Sequence, residues 1–68
     1  MPVRRDELPN RLQPVVPLLA LAANNAEISD SIGVTVHTAE KYVSELKFLL
    51  EARDRVELVD LCRALMDA

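Results

Sequence analysis

Tryptophan is absent, Tyr42 and Phe48 are the only ring-bearing hydrophobic residues, and glycine and cysteine occur once each, as Gly33 and Cys62. Half the chain is nonetheless hydrophobic, so the core has to be assembled from Leu, Val, Ile and Ala, which favours packed helices over a small sheet. One cysteine cannot close an internal disulfide. With no charged start leading into an apolar signal core, the expectation is a reducing, cytoplasmic setting. A single glycine leaves no glycine-rich phosphate loop, and there is neither a Ser/His/Asp nor a Cys/His constellation. His37 stands alone, without the ligand cluster a metal needs. The expectation is therefore no enzyme, no metal, no cofactor and no small-molecule ligand. Long apolar runs are missing too: the longest, residues 15–23, contains Pro17 and falls far below the ~20 residues of a bilayer span. No membrane partner is expected. Basic residues are outnumbered, eight Lys and Arg against eleven Asp and Glu for a net charge of −3. That balance argues against nonspecific binding to nucleic acid or an anionic membrane.

What is present is one domain's worth of chain: 68 residues give a single modest core burying roughly 60% of the surface the unfolded form exposes. Residues 1–13, with three Arg, two acids, Pro2 and Pro9, show no sustained apolar period and read as an arm leading into the domain at 14–68. Four helices follow. Residues 14–23 favour helix provided Pro14 and Pro17 occupy the first turn. Asn24 with Glu27 offers a cap for 25–32, which Gly33 ends in a left-handed residue. Thr35 caps 36–50, whose Val36, Ala39, Val43, Leu46 and Leu50 recur at helical spacing. Asp54 with Glu57 opens 54–67, which no breaker interrupts. The second and third helices are separated by about three residues including Gly33, the helix-turn-helix arrangement.

Residues 8–59 resemble the LuxR-type (GerE-like) helix-turn-helix domain without a gap. The match rests on Leu18-Leu19-Ala20, Asn25-Ala26-Glu27-Ile28, Ile32-Gly33-Val34-Thr35, Thr38, and Arg53-Asp54-Arg55-Val56-Glu57-Leu58-Val59, the last with its Arg-x-Glu pair being the most specific. The resemblance implies an all-α, four-helix domain that regulates transcription. It also implies a homodimer on double-stranded DNA, the third helix lying in the major groove and the positions of Glu40, Lys41 and Ser44 touching DNA. Departures from the family pattern are Glu40 in place of a basic residue, Ala26 in place of a frequent lysine, Tyr42 at a common histidine, and Pro14 and Pro17 in the first helix.

Winding the third helix at 100° per residue agrees in geometry. It sets Val36, Ala39, Val43, Leu46 and Leu50 on one face and His37, Lys41, Ser44 and Phe48 on the other, with Glu40 and Glu45 at the margins. His37, Lys41 and Ser44 can donate to phosphates or base edges, whereas Glu40 and Glu45 can only repel phosphate or accept from a cytosine amine. The candidate DNA-contacting set is Asn25, Thr35, His37, Thr38, Glu40, Lys41, Ser44 and Lys47. Outward Phe48 reads either as cover for a neighbouring loop or as part of a protein interface. Arg4, Arg5 and Arg11 read as solvated charges or as contacts to the DNA backbone, and Arg53 and Arg55 as partners of Glu51 or Glu57.

Apolar residues of the fourth helix span about 160° of its circumference, wider than the ~100° stripe that packing on one domain requires. The candidate dimer contact is Leu58, Leu61, Cys62, Leu65 and Met66, set against the plainer reading of a broad internal core. Such a dimer predicts a two-fold symmetric DNA site with half-sites about one helical turn apart. The rival expectation is an interaction module, an adaptor or antagonist of another regulator protein, that keeps the fold while its acidic third helix has little affinity for DNA.

Overall fold

The computed structural model describes residues 4–67. Its order is two 3₁₀ turns, Arg5–Glu7 and Asn10–Leu12, then α1 (Val15–Ala20), α2 (Asn25–Ile32), α3 (Val36–Leu49) and α4 (Arg55–Asp67). Every element among the described residues is helical, with no strand among them. None of these helices is long and apolar enough to cross a membrane.

Local chemistry sets most of the boundaries. Asn24 accepts the Glu27 N–H at 2.8 Å while the Glu27 carboxylate accepts the Asn24 N–H at 2.9 Å. This reciprocal box satisfies two of the amides that an α-helix leaves unpaired at its start. Thr35 caps α3 through the Thr38 N–H at 3.1 Å, and Asp54 caps α4 through the Glu57 N–H at 2.9 Å. Glu57 reaches back one residue further than a reciprocal box would take it, to the N–H of Arg53 at 3.0 Å. Three corners end in left-handed residues: Ala22 (φ 60°), Gly33 (φ 73°) and Glu51 (φ 56°). Around Ala22 the amide of Ala23 reaches the carbonyl of Leu18, and around Glu51 the amide of Ala52 reaches that of Lys47, the six-to-one bond that seals a helix end.

Three of the helices have boundaries that differ from the sequence reading. The first helix is six residues, Val15–Ala20, rather than 14–23. Pro14 is its cap and Pro17 lies in its first turn, where a missing N–H costs nothing, and the left-handed turn at Ala22 closes it early. The third helix stops at Leu49 with Leu50 as its cap, and the fourth begins at Arg55 with Asp54 outside it.

Residues 4–13 are not a detached arm. Leu8 and Leu12 lie in the same core as Val15, Val16, Leu19, Ile28, Ala39, Val43, Leu46, Leu50, Leu58, Cys62 and Leu65. Two leucines on either side of Pro9 are too few to show a period, yet each withdraws a full side chain from water, worth about 1.5–3 kcal/mol. Gln13 fastens the segment from outside, its amide donating to the carbonyls of Arg5 (2.6 Å) and Leu8 (3.0 Å). Residues 1–3 of the expected arm lie outside the described residues.

Packing divides the helices into two pairs, α4 mainly on α1 and α3 mainly on α2. Arginines of α4 bind it to the end of α1 and to the start of α2. Arg63 donates to the Ala20 carbonyl at 2.9 Å, a cation at the negative end of α1. Arg55 donates to the Ala23 carbonyl at 2.8 Å and to Asn25 Oδ1 at 2.9 Å, so the start of α4 is tied to the start of α2.

Candidate nucleic-acid interface

The site builds on the α2–α3 corner. Gly33 holds the left-handed conformation that L side chains rarely adopt, and the amides of Gly33 and Val34 both close on the Ser29 carbonyl, at 3.0 and 3.1 Å. The chain therefore reverses within 33–35 and Thr35 immediately nucleates α3. Ala39, Val43 and Leu46 anchor α3 in the core, so its opposite side faces solvent.

That solvent side carries His37, Glu40, Lys41 and Ser44, all exposed, with Lys47 half-buried at its edge; Thr35 is exposed too, but as the cap of α3 its hydroxyl is taken up by Thr38. The five on the helix itself lie within about 120° of one another at 100° per residue. Thr38 is half-buried, and its hydroxyl accepts from the Thr35 hydroxyl at 3.0 Å, so it belongs to the cap rather than to the outer face. Asn25 is half-buried on α2 with Oδ1 occupied by Arg55, which removes its acceptor from the set facing outward. Val36, expected on the core face, is 45% exposed because it sits in the first turn, at the end of the helix before the core begins. Phe48 stands 81% exposed and covers no loop.

The two margins of this face differ electrostatically. Glu40 is exposed, whereas Glu45 is half-buried and held by Arg11, whose Nε donates to Oε1 at 3.1 Å and whose Nη2 donates to Oε2. The hydrogen bond to Glu45, and next its charge, hold the Arg11 guanidinium above its ordinary pKa. This pair joins positions 34 residues apart, and no local spacing announces it. The other expected pairings divide: Arg53 meets Glu57 at 3.3 Å, whereas Arg55 turns to Asn25 and the Ala23 carbonyl. Arg4 sits 3.6 Å from Asp6, both well exposed.

The expected dimer contact is largely used up inside the monomer. Leu58 and Cys62 are fully buried and Leu65 is 6% exposed, because α1 covers that side of α4. The wide apolar arc of α4 thus follows the plainer reading, a broad internal core. Burial pushes the Cys62 thiol up to about 11. Leu61 is half-buried against the core, and Met66 is 40% exposed. Met66 and exposed Leu21 line a shallow open groove between α1 and α4, with Pro17, Ala20, Arg63 and Asp67. Among the described residues no group of three or more His, Cys, Asp or Glu is placed to hold a metal ion.

No family model, no curated protein and no solved structure matches the chain.

Proposed function

We propose that the chain is a DNA-binding transcriptional regulator of LuxR type that inserts α3 into the major groove of a two-fold symmetric site. The observation that carries this reading is the α2–α3 corner: a tight reversal at Gly33 followed by a helix whose outer face presents His37, Lys41 and Ser44 together. A helix held by its apolar side with donors along the other matches what a major groove accepts. In this reading Lys41 and Lys47 meet phosphates, His37 and Ser44 donate to phosphates or base edges, and Glu40 selects for a cytosine amine at the expense of affinity. Two copies acting together use the apolar residues left outside, Leu61, Met66 and Leu21. The cytoplasm is the compartment such a regulator works in.

A second reading, a protein-interaction module, is favoured by the charge around the same corner. Glu27, Asp30 and Glu40 are exposed there, against Lys41 and the half-buried Lys47, and Phe48 offers a bare ring near the far end of α3.

Fluorescence anisotropy of a randomised duplex pool, titrated at low and moderate salt with the bound fraction sequenced, separates the two. Glu40→Lys supplies the sharper arm. The regulator reading expects roughly tenfold tighter binding at low salt and a salt slope steeper by about 0.9, the signature of one added phosphate contact. Absence of binding by both proteins, shown folded by circular dichroism, decides for the interaction module.

A further inference from the structure

The charges along α3 are Glu40, Lys41, Glu45 and Lys47, which cancel. Its flank is different, because Arg11 is bound to Glu45 and brings a guanidinium to the edge of the helix. A guanidinium carries five N–H donors in a planar fork, and the contact with Glu45 engages Nε and Nη2 only. Among the described residues Nη1 has no hydrogen-bond partner, and the Arg11 side chain remains 52% exposed. Its position is fixed from behind: Leu12 is fully buried, and the turn carrying both is closed by the Leu12 N–H on the Pro9 carbonyl at 2.9 Å. Around α3, Glu45 lies about 40° from Lys41, so the fork stands on the Lys41 side of the outer face.

We propose that Arg11, oriented by Glu45, is a contact to the DNA phosphate backbone beside the groove that α3 enters. This rests on the DNA-binding reading above. Arginine suits the task because one edge of the fork can hold a carboxylate while another meets a phosphate oxygen. Glu45 acts here as a positioning residue, its repulsion of phosphate cancelled by the cation it holds, and the unit of α3 plus Arg11 has a charge of +1 where α3 alone has none.

The test measures affinity of the wild type, Arg11→Gln, Arg11→Lys and Glu45→Gln for one selected duplex between 50 and 200 mM salt. Arg11→Gln is expected to flatten the slope of log affinity against log salt by about 0.9, so that the loss across this fourfold range shrinks by roughly 3.5-fold. Arg11→Lys is expected to keep the slope. Glu45→Gln is expected to weaken binding even though it removes an acid, and it provides the answer if Arg11→Gln does not fold. An Arg11→Gln protein with wild-type slope and affinity, or a Glu45→Gln protein that binds more tightly, overturns the proposal while leaving the DNA-binding reading in place. A wild type with no salt-sensitive binding overturns both.

Discussion

The two helix pairs are built on opposite principles. Around α2 and α3, neighbours in sequence do the work: Asn24 with Glu27, Gly33 with Ser29, and Thr35 with Thr38. Around α1 and α4 the partners are some 40 residues apart, a seam of buried aliphatic side chains closed by Arg63 on the Ala20 carbonyl. The first pair buries Ile28, Ala39, Val43 and Leu46 but leaves the outer face of α3 in solvent, whereas the second hides most of the apolar arc of α4 beneath α1. Leu58, Cys62 and Leu65 are hidden, while Lys41 and Ser44 of α3 stand in solvent.

The largest effect that tests this division is Leu58→Ala. Removing a fully buried leucine leaves a cavity as well as a lost transfer energy, and is expected to cost about 2–5 kcal/mol in denaturant unfolding. Asn24→Ala, which removes only a cap, is expected to cost about 1 kcal/mol. Equal losses from the two variants would dissolve the contrast.

A smaller effect sharpens it through pH. The Cys62 thiol is raised by burial from an ordinary value of 9.0 to about 11. The unfolded chain therefore loses its proton first as pH rises. The contribution of this group is fully present below about pH 9 and is lost between there and about pH 11, on the order of 3 kcal/mol. Cys62→Ala should unfold with that part of the alkaline decline removed, and a wild-type profile in the variant would refute the assignment.

The smallest effect concerns a corner. Ala22 occupies a left-handed conformation at φ 60°, strained for a residue with a Cβ. Ala22→Gly is expected to raise stability by about 0.5–1 kcal/mol, less than the relief of strain alone because glycine also loosens the unfolded chain. A lowered melting temperature would contradict this.

The same division explains what the sequence made legible. Most features that depend on a spacing of three or four residues were open to reading: the caps at Asn24, Thr35 and Asp54, the end of α2 at Gly33, and the outward placement of His37, Lys41 and Ser44, with Val36 at the start of α3 the exception. Features that depend on a distant partner were not. The burial of Leu8 and Leu12 needs the helices against which they lie, and the Arg11–Glu45 pair spans 34 positions. The width of α4's apolar arc was correctly visible, but whether α1 or a second subunit covers it is a question of tertiary packing, and α1 does. The left-handed turns at Ala22 and Glu51 carry no glycine to announce them, so the early end of α1 had no local signal. On the candidate interface, the engagement of the Asn25 acceptor was hidden for the same reason, since Arg55, which occupies it, comes from 30 residues downstream.

The distance between α1 and α4 along the chain also has a meaning in time. Closing the α2–α3 corner orders only a handful of residues around a three-residue turn, whereas bringing α4 onto α1 closes a loop of some 40 residues before any apolar contact rewards it. The corner that presents α3 is thus the part of the molecule that a growing or refolding chain can shape early, and the α1–α4 seam is the latch that makes the shape last.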